Sequence, residues 1–113
     1  GDEEIPGGQC WLATQCAMAN PVEAMIERSQ LAERTFKRRF TAATGLAPIA
    51  YVQRLRVEDA KRRLERTDAS IDEISWRVGY EDPAFFRRLF KRTTGMAPGA
   101  YRARFRIPDY ARP

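Results

Sequence analysis

Residues 36–51 read FKRRFTAATGLAPIAY, and residues 86–101 read FRRLFKRTTGMAPGAY, so the chain carries nearly the same pattern twice, fifty positions apart. The identical positions include two phenylalanines four residues apart, a Thr-Gly pair and an Ala-Pro pair. Two copies are too few for a solenoid of stacked repeats. The repetition therefore indicates two similar small units within one polypeptide.

Each copy of the pattern predicts an amphipathic helix with a basic outer face. Steps of 100° per residue, starting from the phenylalanines, assign every side chain to a face. The side chains expected to point inward are Ala32, Phe36, Phe40, Ala43, Phe86, Phe90 and Thr93. Those expected to point outward are Arg34, Arg38, Thr41, Ala84, Arg88 and Lys91, with Lys37 and Arg87 at the flanks. Gly45 and Gly95 follow these helices, where a left-handed residue commonly ends a helix.

Residues typical of helix starts predict where three of the helices begin. Asn20, Ser70 and Asp82 stand immediately before helical patterns, where a side-chain oxygen can cap the first turn, and Glu73 completes a capping box with Ser70. The predicted helix pairs are 21–29 with 32–44, and 70–78 with 82–94. A short helix, a tight turn and a second, basic helix form the helix-turn-helix pattern.

The whole chain is predicted to be all-α, with about seven helices in two helix-turn-helix subdomains joined by a long linker helix. The apolar residues of the linker do not form one stripe, so its two ends are expected to pack against different bodies. The expected organisation is a flexible lead-in at 1–8, a first subdomain at 9–48 with an extra helix near 9–18, the linker helix at 49–66, a second subdomain at 67–107, and a tail at 108–113.

The composition indicates a polyanionic partner and argues against enzyme chemistry. Lys and Arg number 20 against 15 Asp and Glu, a net charge of +5, and the cations concentrate in the two repeat blocks. The chain has no histidine, the commonest general base and metal ligand. Cys10 and Cys16 would lie on opposite faces of a helix, too far apart for a disulfide. We expect no enzymatic activity, no metal and no cofactor.

No apolar run approaches the ~20 residues of a membrane helix.

The segment 70–105, SIDEISWRVGYEDPAFFRRLFKRTTGMAPGAYRARF, resembles the signature of the C-terminal DNA-binding domain of AraC/XylS-type bacterial transcription regulators. The segment 34–67, RTFKRRFTAATGLAPIAYVQRLRVEDAKRRLERT, resembles the first motif and the linker helix of that family. The likeness covers about 20–107. Within the family, the residue pattern of these two segments is similar to that of members whose N-terminal domain resembles a type I amidotransferase or DJ-1/PfpI domain. Such a domain would be a sensing domain outside this chain.

The resemblance implies sequence-specific binding of double-stranded DNA, with recognition helices at about 32–44 and 82–94 in successive major grooves. It implies base contacts from Arg34, Arg38, Ala84, Arg87 and Arg88. Phosphate or flanking contacts are expected from Lys37, Thr41 and Lys91. RNA polymerase is a further expected partner, and the bacterial cytoplasm, at the nucleoid, is the expected location. The sequence leaves open the operator, the effector, the oligomeric state and the choice between activation and repression.

Three departures from the family pattern produce expectations of their own. Gln30 stands where the first turn usually has glycine, and Ala32 stands where a serine usually caps the helix; both favour a less rigid first unit. Ser75 stands where the second unit usually has alanine, so a buried hydroxyl there needs a backbone partner.

Alternative interpretations of some residues, and of the whole chain, remain open. The alternative function is a basic helical module that binds RNA, a membrane surface or RNA polymerase rather than operator DNA. For Trp76, packing against a neighbour is favoured over exposure at a partner surface. The run 61–63 is favoured as a solvated helix face. The repeated arginines are interpreted either as ion-pair donors or as DNA contacts: Arg54, Arg56, Arg104 and Arg106.

Overall fold

The structure, a computed structural model, describes residues 20–112, and all regular secondary structure in that range is helical. The predicted all-α class is confirmed, and the helix expected near 9–18 lies outside the described residues. The helices are α1 (Pro21–Ser29), α2 (Glu33–Thr44), α3 (Pro48–Arg66), α4 (Ile71–Arg77), α5 (Pro83–Thr94) and α6 (Pro98–Phe105), followed by a short 3-10 turn (Asp109–Ala111).

The chain divides into two compact units between Leu55 and Arg56, inside α3. Helix α3 therefore supplies core residues to both units. The buried core of the first unit consists of Met25, Phe36, Phe40 and Val52. The buried core of the second consists of Val57, Ala60, Leu64, Ile74, Val78, Phe86, Leu89 and Phe90. Burial of these apolar side chains is the main term that stabilises each unit.

The identical residues of the sequence repeat pack in the same way in the two units. Phe40 meets Tyr51 edge to face, with ring centroids 5.2 Å apart and planes at 86°. Phe90 meets Tyr101 at 5.4 Å and 81°. Edge-to-face contact is a favoured geometry for aromatic pairs. The repeat is thus a repeat of three-dimensional packing as well as of sequence.

Fewer side chains on the inner faces of α2 and α5 are buried than the helical wheel predicts. The phenylalanines are fully buried as expected, but Ala32, Ala43 and Thr93 are exposed. Angular position determines the side on which a residue lies, but not how far the covering helices extend along the axis. Ala43 and Thr93 lie in the last turns, and Ala32 precedes the first turn, so all three fall beyond the ends of the covered stripe.

Two of the three predicted capping side chains are confirmed. Ser70 Oγ accepts a hydrogen bond from the Glu73 amide at 3.1 Å. Asp82 Oδ1 accepts one from the Ala84 amide at 3.0 Å. Asn20 makes no side-chain cap bond, because its backbone (φ −101°, ψ 57°) is not in the extended region that directs a cap oxygen at the first turn.

The C-terminal end of α3 is held by side chains from α6. Arg102 donates Nε to the Leu64 carbonyl and Nη2 to the Thr67 carbonyl, both at 3.1 Å, which satisfies oxygens that a helix end leaves without intrahelical partners. The Tyr101 hydroxyl donates to Glu65 Oε2 at 2.5 Å. Burial and this carboxylate raise the pKa of Tyr101 well above its usual range, and burial lowers the pKa of Arg102.

Candidate nucleic-acid interface

Helix α2 presents the basic face that the sequence predicts for the first unit. Arg34, Lys37, Arg38 and Thr41 are all exposed. Lys37 Nζ lies 2.9 Å from Glu33 Oε1 on the same helix, an exposed pair that solvent screens strongly. The guanidinium groups of Arg34 and Arg38 form no ion pair with any residue of 20–112. Both therefore remain available to an external anion.

Helix α5 presents the corresponding face of the second unit. Ala84, Arg87, Arg88 and Lys91 are exposed. Arg88 and Lys91 have no ion-pair partner within the part of the chain that the structure describes. Arg87 differs, because its Nη2 lies 2.7 Å from Oδ1 of Asp72 on α4. Asp72 was absent from the sequence-based site, since a helical wheel of α5 carries no information about α4.

The turn of the second unit is fixed by hydrogen bonds around a buried serine. Ser75 Oγ donates to the Tyr80 carbonyl, and the Tyr80 amide donates to the Ser75 carbonyl, both at 2.9 Å. The expected backbone partner of Ser75 is thus confirmed. Gly79 takes φ 109° between them, a conformation that side chains strongly disfavour. These bonds set the path of the chain into α5 and hence the direction of its exposed face.

The turn of the first unit lacks both the glycine and the capping serine of the family pattern. Gln30 takes φ 61°, so a residue with a Cβ occupies the left-handed region. Ala32 has the extended backbone of a cap residue but makes no side-chain cap bond. Ser29 holds the turn instead: its Oγ donates to the Ile26 carbonyl at 2.6 Å and accepts from the Leu31 amide at 3.1 Å.

Trp76 is exposed, and the prediction that it packs against a neighbour is wrong. Its exposed fraction is 57%, and its indole Nε1 donates to the Glu81 carbonyl at 3.2 Å. Ile74 and Ser75 immediately before it are buried, so the 100° step to the next residue turns Trp76 away from the core.

The repeated arginines divide into two kinds. Arg56 is buried, and its guanidinium carbon lies 4.7 Å from the centroid of the Tyr80 ring, a cation–π contact. Arg106 forms an ion pair with Asp68. These two arginines and Arg104, whose guanidinium carbon lies 5.5 Å from the centroid of the Phe105 ring, have structural partners. Arg54 is exposed and forms no ion pair with another described residue.

The basic run on α3 is paired with two acids of its own helix. Lys61 Nζ lies 3.0 Å from Glu58 Oε1, and Arg63 Nε lies 3.1 Å from Asp59 Oδ1. Arg62 Nη2 lies 3.7 Å from the same Asp59 oxygen. Such pairs at three and four positions favour a solvated helix face over a DNA contact.

The described residues provide neither a metal site nor a membrane-spanning helix. Across residues 20–112, no three His, Cys, Asp or Glu side chains are grouped to hold a metal ion. Over the same range, no helix has the length and apolar character required to span a membrane.

A pair of helix-turn-helix units, each with an exposed basic second helix, is the architecture of a DNA-binding protein. Residues 25–104 match the helix-turn-helix domain family. The chain is similar to the HTH-type transcriptional activator RhaS of Salmonella arizonae, at 36% identity over 85 residues, which is 75% of this chain and 31% of that protein. The chain thus belongs to the AraC/XylS family of helix-turn-helix transcription regulators, which is not a family of enzymes.

Solved structures agree with this assignment. The DNA-binding domain of AdpA, solved in complex with a target DNA, matches with a TM-score of 0.85 and 36% identity over 89% of this chain and 91% of that one. The C-terminal domain of AraT, a response regulator from Geobacillus stearothermophilus, matches with a TM-score of 0.86 over 96% of this chain and 90% of that one. Its 24% identity supports the fold alone. The chain spans about a third of the length of the RhaS relatives.

Proposed function

We propose that this chain binds double-stranded DNA sequence-specifically for a bacterial transcription regulator, and that α2 and α5 are its recognition helices, each in one of two successive major grooves. One observation carries the proposal. Arg38 and Arg88 occupy equivalent positions of the repeat, both are exposed on the second helix of a helix-turn-helix unit, and neither forms an ion pair with another described residue. A major groove admits one helix, and guanine is the base that arginine contacts best.

Base contacts are assigned to exposed side chains on the two recognition helices. They are Arg34, Arg38, Ala84, Arg87 and Arg88. Ala84 lies in the first turn of α5, where its methyl group suits contact with a thymine methyl. The N-terminal residues of recognition helices meet base edges, and all five of these side chains lie in the first two turns of α2 and α5.

Phosphate or flanking contacts are assigned to Lys37, Thr41 and Lys91. The net charge of +5 supports an electrostatic contribution to affinity. Because each neutralised phosphate releases counterions, affinity is expected to fall steeply with salt, by roughly 10³–10⁵ between 50 and 200 mM if six to ten phosphates are contacted. Contacts of this kind hold the protein in register but carry no sequence information.

The chain is proposed to act as one part of a longer regulator. The 85 matched residues make up only 31% of the RhaS relative, so a sensing domain in the rest of the protein is the proposed site of effector binding. The name of RhaS describes an activator, and contact with RNA polymerase is the corresponding proposal for this chain. The proposed location is the bacterial cytoplasm, at the nucleoid.

The test is selection of binding sites by the 113-residue chain from a pool of random duplexes of about 25 base pairs, which is long enough for two half-sites one helical turn apart. The selected duplex is then titrated by fluorescence anisotropy at several salt concentrations. Enrichment of an asymmetric site with two short boxes, about one turn apart, is the expected result. One enriched box would restrict base recognition to one unit. No enrichment, or equal binding to RNA or anionic vesicles, would overturn the proposal.

A further inference from the structure

We propose that Asp72, which is outside both recognition helices, is a specificity-determining residue that positions Arg87 for its base contact. The inference rests on the proposed function, because it requires that α5 meets DNA. It adds to that function a residue on α4 that controls how one arginine of α5 is presented.

The contact joins two helices within the second unit. Asp72 lies in the first turn of α4, and Arg87 lies fifteen positions later on α5. Arg87 Nη2 donates to Asp72 Oδ1 at 2.7 Å, the short distance typical of a charge-assisted hydrogen bond. A guanidinium carries five N–H donors. One bond to Asp72 therefore leaves enough donors for a bidentate contact with guanine O6 and N7.

The exposure of the pair favours a positioning role over a stabilising one. The side chains of Arg87 and Asp72 are 50% and 48% exposed. Ion pairs at such exposed sites contribute little to stability, because water screens them. They still restrict the rotamers of a long side chain, and a side chain ordered before binding avoids part of the entropy cost of association.

The first unit has no equivalent of this pair, which makes it a specific feature of the second. Lys37 occupies the repeat position of Arg87, and its partner is Glu33 on its own helix. Asp72 stands seven positions before the left-handed Gly79, and Glu23 stands seven positions before the left-handed Gln30. Both units thus have an acid in the first turn of the shorter helix, but among the described residues only Asp72 pairs with the basic helix that follows.

The negative charge of Asp72 has a second expected effect. A carboxylate beside a DNA-binding helix repels phosphates on every sequence, whereas its hold on Arg87 favours only duplexes that offer a guanine at the right place. The repulsion acts on specific and non-specific duplexes alike and cancels in the ratio of their affinities, so only the hold on Arg87 raises that ratio. Removal of the charge should therefore raise non-specific affinity and lower that ratio.

The experiment compares Asp72→Asn with Glu73→Gln in the 113-residue chain. Glu73 is the matched control because it lies in the same first turn and forms its ion pair with Arg77 on the same helix rather than with α5. Each variant is titrated with the duplex recovered by selection and with a scrambled duplex of the same composition. Arg87→Ala, alone and combined with Asp72→Asn, completes a double-mutant cycle. Thermal unfolding of every variant verifies the fold.

The expected result is a roughly three- to tenfold lower specificity ratio for Asp72→Asn, the size that loss of one pre-ordered side chain produces. Glu73→Gln should leave the ratio unchanged, and Asp72→Asn should have no effect on it in the Arg87→Ala background. Equal ratios for the two acid variants, or a persistent effect of Asp72→Asn without Arg87, would overturn the role of Asp72 alone. Lack of any preference in the unmodified chain would instead remove the proposed function and this inference together.

Discussion

Thr44 and Thr94 make the same set of hydrogen bonds in the two units. Each hydroxyl lies near the carbonyl oxygen four residues earlier, at 2.9 Å for Phe40 and 2.8 Å for Phe90. Each also lies 3.0 Å from the carbonyl two residues later and accepts that residue's amide, at 3.1 and 3.2 Å. One threonine therefore satisfies several backbone groups where the recognition helix ends and the next segment begins.

Substitution of Thr94 by valine should destabilise the protein by about 1–3 kcal/mol, because the valine has the same shape but leaves the Met96 amide without its acceptor. Urea unfolding followed by circular dichroism measures this change. The control is Thr93→Val, at the adjacent exposed position. An equal loss for both variants would show that the hydroxyl of Thr94 contributes nothing specific.

Substitution of Gln30 by glycine should stabilise the first unit. The left-handed backbone at φ 61° costs a residue with a Cβ about 1–2 kcal/mol, and the greater freedom of an unfolded glycine offsets part of that gain, which leaves roughly 0.5–1 kcal/mol. The control is Gln53→Gly inside α3, which should destabilise by about 1 kcal/mol. Thermal unfolding measures both changes, and a lower midpoint for Gln30→Gly would contradict the strain argument.

Arg38→Ala and Arg88→Ala should each relax the preference for one base pair of the selected site by about 1–3 kcal/mol. The contrast is Lys91→Ala, which should weaken all duplexes alike and reduce the salt slope by about one. Titration of the selected duplex and of its single-base variants separates these outcomes. Uniform weakening by the arginine variants would assign Arg38 and Arg88 to phosphates.

Tyr101 should make stability depend on pH in the alkaline range. Its pKa is raised in the folded protein, so unfolding releases its proton once the pH exceeds the unfolded value of about 10. The contribution of Tyr101 is therefore complete below that pH and is lost as the pH rises from there toward the folded value. Tyr101→Phe should flatten the decline in urea midpoint from about pH 9 to 11. Tyr110→Phe, at a 92% exposed position, is the control and should retain the decline.

Local sequence patterns predicted the helices, two of the three capping side chains and the aromatic cores. Ser70, Asp82 and the phenylalanine pairs act within three or four residues of their partners, a range that helical geometry fixes. Gly45 and Gly95 take φ 79° and 83°, in agreement with their predicted place after the helix end. Ser75 was predictable for a related reason, since a hydroxyl on a buried face must find a nearby acceptor.

Contacts between helices were not predictable from these patterns. Asp72 and Arg87 are fifteen positions apart, and Arg102 reaches a carbonyl thirty-eight positions earlier. Each residue is an ordinary surface cation or anion on its own helix, and only the packed arrangement brings the groups together. The wrong expectation for Trp76 has a different origin, because Ile74 and Ser75 already occupy the buried face of α4.

The hydrogen bonds of Thr44 and Thr94, which the fold requires, are independent of the exposed side chains of α2 and α5, which can change. The bonds that end each recognition helix involve backbone groups and one hydroxyl, and none of them uses the exposed side chains of α2 or α5. Mutations on those exposed surfaces consequently carry little folding penalty. In a duplicated framework of this kind, the exposed side chains of one copy can change while the helix-end bonds of both copies stay intact.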